Sequence, residues 1–139
     1  MQKCLNIGTW YSVLMAIFLS VGCQQKIQKE ELIKTWYFDH FEQNPKPKED
    51  MPEDITQEYR ANFSLVYHAN GLFESRFGND SSSGEWNLSE DGKVLFSKDK
   101  TGKSQRYMIK EISKDKLAFT VQVPAGTMTF FMQSKPVAP

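Results

Sequence analysis

The chain has 139 residues, a formal net charge of zero and an aromatic content of 13%, made up of ten Phe, five Tyr and three Trp. That length fits one domain with a modest core. Lysine and arginine are interspersed with the acidic residues and form no basic patch, which excludes nucleic-acid binding, because phosphate contacts need clustered cations.

At the N-terminus, Lys3 precedes Leu5 to Gly22, the uncharged apolar run LNIGTWYSVLMAIFLSVG, which ends at Cys23 and gives way to the polar QQKIQKEE. A basic start, an apolar stretch and a small residue before the cut are the layout of a secretory signal. The segment resembles a bacterial lipoprotein signal peptide, with Ser20 in the place where an aliphatic residue is usual. The resemblance implies cleavage between Gly22 and Cys23, a diacylglyceryl thioether on Cys23, and acylation (palmitate in kind) of the freed amine. Two acyl chains hold a protein on a membrane stably, where one does not. Two other readings stay open: plain secretion, and an uncleaved signal anchor, since spanning a bilayer takes roughly 17–25 apolar residues. Gln24 follows the cysteine, where Asp would imply inner-membrane retention, and Lys26 ahead of Glu30 and Glu31 departs from surface-export tethers. The address so implied is the outer membrane of the cell envelope, with the protein facing the periplasm. The expected partition is a signal peptide over 1–22, a lipid-anchored tether with a short helix over 23–34, and a β-barrel domain over 35–139. Cys4 lies in the removed part and no cysteine follows Cys23, which leaves no disulfide within one mature chain and no Cys-metal site.

Residues 28–34 are compatible with one or two helical turns, and Thr35–Phe41 forms the first expected strand. Residues 42–58 carry Pro45, Pro47, Pro52 and many charges, so a long loop is expected there. Ala61–Ala69 alternates, with Phe63, Leu65 and Tyr67 on one face, and Asn70-Gly71 supplies a two-residue hairpin turn because both positions tolerate positive φ. Leu72–Phe77 returns, with Phe73 and Phe77 on one face, and Gly78–Gly84 is expected as a flexible loop. Strands follow over Glu85–Leu88, Lys93–Ser97, Ser104–Ile112, Lys116–Val123 and Thr127–Gln133, each bounded by a turn signal. Short hairpins force antiparallel neighbours, so the expected fold is all-β, an antiparallel up-and-down meander of about eight strands with a short N-terminal helix. Such a meander buries its apolar face by curling until the last strand meets the first, which removes both edges. A barrel of eight strands is wide enough to be filled by side chains or to hold one small ligand.

The order Lys34-Thr35-Trp36, Gly71-Leu72-Phe73, Ser83-Gly84-Glu85-Trp86-Asn87-Leu88, Asp91-Gly92-Lys93-Val94-Leu95, Tyr107 to Ile112 and Leu117-Ala118-Phe119 resembles the small lipocalin-like domains found on lipoproteins of Gram-negative bacteria. Trp36 matches the Trp of the Gly-x-Trp element that closes one end of a lipocalin barrel, with Lys34 in the place of the glycine. The resemblance implies a lipocalin-like barrel and, loosely, ligand binding.

Trp36, Phe38, Phe63, Tyr67, Phe73, Trp86, Phe119 and Phe130 are the candidate ligand-binding residues, on one concave face with Phe77 and Met132. That face reads either as solid core or as an apolar pocket. Two functions follow, a lipid-anchored module for a small hydrophobic ligand, or a non-enzymatic structural protein with a filled barrel and an envelope protein partner. Trp86, after the expected 78–84 loop, is placed near the open mouth, and Trp36 at the closed end. His40 and His68 are the two histidines and lack the clustered spacing of a metal site. Ser81-Ser82-Ser83 has no His partner, and Gly102-Lys103-Ser104 lacks both the earlier glycine of a phosphate loop and its strand-to-helix setting. Neither a catalytic group nor a cofactor is expected.

Overall fold

The structure is a computed structural model and describes residues 26–138. The expected signal peptide, Cys23 and the first tether residues lie outside the described residues. A short helix, α1 (Lys29–Leu32), leads into β1 (Thr35–Asn44). A second helix, α2 (Glu53–Asn62), runs directly into β2 (Phe63–Tyr67). Then follow β3 (Leu72–Phe77), β4 (Asp80–Leu88), β5 (Val94–Asp99), β6 (Ser104–Ile112), β7 (Lys116–Val123) and β8 (Gly126–Gln133). Each strand pairs antiparallel with the next, and β8 pairs with β1, closing an eight-stranded barrel. Both sheet edges are consumed within residues 35–133 and the cap α1 lies just before them, so the described segment encloses its own core, the property that lets a domain fold alone.

Two expected loops are structured. β1 continues three residues past Phe41, and residues 42–58, expected as one loop, contain the start of α2. The Gly78–Gly84 segment is not a loop either. Only Gly78 and Asn79 turn, and Ser81, Ser82 and Ser83 pair with Arg76, Ser75 and Glu74. A serine-rich segment reads as flexible in sequence, yet β3 pairs with it along its length, and β5 joins on the other side from Gly84 onward. Gly84 is required there by close approach, since a Cβ on it would overlap the Lys98 carbonyl of β5.

β1 departs from strict alternation. The register against β8 shifts between Phe38 and His40, so Asp39 is an extra, bulged residue. The bulge turns His40 outward, where it stacks on Phe131 at 4.3 Å, and turns Phe41 inward against Phe38 and Phe130. The freed Asp39 carbonyl accepts a 2.7 Å hydrogen bond from Arg60 Nε of α2, which satisfies a backbone group the ladder cannot.

β2 pairs with only Thr35, Trp36 and Tyr37 of β1. Beyond Tyr37 the wall between the two strands is open, and α2 lies across the gap. Tyr59 is its anchor, with its ring 5.3 Å from Phe38, 5.1 Å from Phe41 and 4.9 Å from Phe77.

The opposite end is sealed. α1 lies over Trp36, whose indole donates to the Leu32 carbonyl at 3.1 Å. Lys34, in the position of the lipocalin glycine, sets its ammonium 5.0 Å from the centre of the Trp36 ring and donates to the Lys114 carbonyl. Leu32, Trp36, Leu95, Leu117 and Met132 are buried below this cap. Trp86 belongs to the same end, contrary to the expectation that it stands near the mouth. Its indole donates to the His68 carbonyl at 3.1 Å, and Lys29 of α1 sits 4.9 Å above its ring. The reason is that β4 begins at Asp80, so the chain has crossed most of the barrel by Trp86.

Candidate functional site

Successive turns of a meander alternate between the two ends of the barrel. The β2–β3, β4–β5 and β6–β7 turns share the sealed end with α1. The β3–β4, β5–β6 and β7–β8 turns share the other end with α2. Toward that second end the barrel is hollow, with a cavity of about 320 Å³, at the lower end of the roughly 300–1,000 Å³ range of small-molecule sites.

The cavity has two unlike sides. Phe63 and Leu65 of β2, Phe73 of β3, Phe119 of β7 and Phe130 of β8 give apolar surface, with Tyr59 of α2 beside them. Phe119 and Phe130 are stacked at 5.3 Å with their planes 16° apart. The facing side is polar, formed by Ser75, Ser82, Ser97, Gln105 and Tyr107 from β3 to β6. Asp99 and Lys103 flank the β5–β6 turn at the rim. Asp99 Oδ1 accepts from the Thr101 hydroxyl at 2.6 Å and from the Thr101 and Lys103 backbone N–H groups at 2.9 Å each. These bonds, the hydroxyl's first, hold its carboxyl below the ordinary aspartate range.

Tyr67 stands between the cavity and the filled end. It lines the cavity, is only 2% exposed, and packs its ring 5.1 Å from that of Trp86. Burial pushes its phenol far above the usual tyrosine range, and the neighbouring Tyr107 adds to the shift. Burial raises the Tyr107 phenol as well, with the Ser97 hydroxyl acting against it. Both phenols therefore keep their protons at neutral pH.

Of the sequence-derived binding residues, Phe63, Tyr67, Phe73, Phe119 and Phe130 come together around this cavity. Trp36, Phe38 and Trp86 do not line it. Trp36 and Trp86 pack under α1, and Phe38 packs among Phe41, Tyr59 and Phe63. The polar side is what the aromatic reading leaves out. Its signal is present as alternation: Ser75 lies two residues after Phe73, Ser97 two after Leu95, and Gln105 two before Tyr107, and such spacing puts each pair on one face of a strand. Among the described residues, no three His, Cys, Asp or Glu converge on a cation position, and no helix is long and apolar enough to cross a membrane.

Residues 32–119 match the family model described as a lipocalin-like domain, and the chain belongs to that family. Among solved structures, a DUF4847 family protein from Bacteroides vulgatus is similar in fold, with a TM-score of 0.53 and 14% identity over 78% of this chain and 96% of that one. No curated protein matches the sequence.

Proposed function

We propose that the protein is a lipid-anchored envelope lipoprotein whose barrel binds a small hydrophobic molecule and carries out no chemistry on it. The observation that carries the binding reading is the cavity of about 320 Å³ inside the α2 end of an otherwise filled barrel. A protein interior is normally packed to the density of an organic crystal, so a hollow of this size with one aromatic side supports the presence of a guest. The anchor reading is supported by the Gly22-Cys23 signal pattern. α1 follows Cys23 closely in sequence and sits on the sealed end, so an acylated Cys23 would hold the sealed end toward the bilayer.

The test is uptake of the neutral apolar fluorophore N-phenylnaphthylamine by residues 26–138. The expected result is saturable fluorescence enhancement at one probe per chain, abolished in Ser75→Trp, whose indole fills the cavity from the polar side. Enhancement that is absent, or that persists unchanged in a folded Ser75→Trp protein, contradicts the reading.

A further inference from the structure

The Tyr67 hydroxyl makes no hydrogen bond among the described residues, although the side chain around it is 2% exposed. No fully buried side-chain polar atom among the described residues lacks a partner, so this hydroxyl touches the cavity that Tyr67 lines. A donor that faces the cavity at its inner limit with no protein partner is free to meet a guest, and it loses about 1–3 kcal/mol when a guest covers it without bonding to it. Phenylalanine would fill the same volume without that cost. Tyr107 stands nearby on the polar side, close enough to influence the Tyr67 phenol.

We propose, building on the binding reading above, that the guest is a compact aromatic molecule with an uncharged hydrogen-bond acceptor, its acceptor turned inward to the Tyr67 and Tyr107 hydroxyls and its ring laid against Phe119 and Phe130. Three features define this class. A phenol donates its proton more strongly than it accepts one, so the partner it lacks is an acceptor. The inner cavity groups, Tyr67, Tyr107, Ser97 and Gln105, are all uncharged, while Asp99 and Lys103 stand at the rim with opposite signs. A buried carboxylate or ammonium would find no counter-charge there and would be strongly disfavoured. The stacked Phe119–Phe130 pair, with Tyr107 edge-on to Phe119 at 5.0 Å and 71°, offers ring faces and edges to a flat guest, and such contacts add to simple area burial. A guest that enters displaces solvent from the cavity, and one unable to bond the two hydroxyls in its place binds less well.

Calorimetric titration of residues 26–138 with three probes tests this. Acetylnaphthalene carries a carbonyl, isopropylnaphthalene has the same shape without one, and dodecanoate has an acyl chain and a charge. Acetylnaphthalene is expected to bind at least about tenfold more tightly than either of the others. Tyr67→Phe and Tyr107→Phe should each narrow the gap between the two naphthalenes, and the double variant should close it, with acetylnaphthalene binding weaker and isopropylnaphthalene binding at least as tight as in the parent. Thermal melts run alongside should show Tyr67→Phe at least as stable as the parent, because it deletes a donor with no partner in the protein. Equal affinities for the two naphthalenes, a gap that survives the double variant, or dodecanoate as the tightest ligand overturns the acceptor proposal and leaves the binding reading standing. Failure of all three probes to bind overturns both.

Discussion

The ring of Tyr59 lies 5.3 Å from that of Phe38, and this contact fixes α2 over the gap that opens between β1 and β2 beyond Tyr37. The helix has no fully buried residue and no side-chain cap at its start, so its position depends on Tyr59 and on the bond from Arg60 to the Asp39 carbonyl. Tyr59→Ala should cost about 2–3 kcal/mol, below the full range for a buried aromatic because Tyr59 is only partly buried. Urea denaturation measures the loss. Hydrogen exchange should speed up selectively across residues 53–62, since local contacts set local stability.

Trp36 and Trp86 are 0% and 4% exposed and share the sealed end. Replacing either with Ala should therefore cost a similar amount, about 3–5 kcal/mol. Neither lines the cavity, so probe affinity per folded molecule should stay at the parent value at temperatures where the variants are folded. Chemical denaturation paired with fluorophore titration separates the two effects. A loss of affinity in folded Trp86→Ala would place that residue at the site after all.

Asp99 is held by hydrogen bonds that its charged form accepts, and its folded pKa is depressed. A depressed carboxylate contributes stability that is present above the unfolded value, about 3.9, and is lost as pH falls through the folded value. The β5–β6 turn should accordingly hold its shape at pH 5 and above, then loosen at more acid pH. NMR titration of the Asp99 carboxyl should give a midpoint below that of an aspartate in an unstructured peptide. Thr101→Ala should move the midpoint upward, because the Thr101 hydroxyl is the leading cause of the depression.

Cys23 is the residue on which the membrane reading depends. Cys23→Ala should leave an unprocessed precursor or release the protein from the membrane fraction, and should abolish labelling by a palmitate analogue. Processing at Gly22 with retained label in that variant would contradict the lipid anchor.

Much of the barrel was legible in the sequence because alternation is a direct imprint of a half-buried strand. Leu117, Phe119, Val121 and Val123 mark β7, and Asn70-Gly71 marks the β2–β3 turn, where Gly71 has a φ of +83°. α2 was hidden because its inward anchor is essentially one residue, Tyr59, set in a charged segment preceded by Pro45, Pro47 and Pro52. The bulge at Asp39 left no local mark, since only pairing with β8 reveals that His40 and Phe41 have exchanged faces. The site was half legible. Its aromatic side follows from hydrophobicity, but its polar side consists of inward-facing Ser, Gln and Tyr, and in sequence a polar residue facing a cavity looks like one facing solvent.

The most direct measurement is native mass spectrometry of the protein purified from its own cell envelope, without exposure to organic solvent. One noncovalent guest per chain is expected, lost on denaturation and absent from Ser75→Trp prepared in parallel. A bare protein mass from gentle preparations, with no uptake when apolar probes are added back, would contradict it.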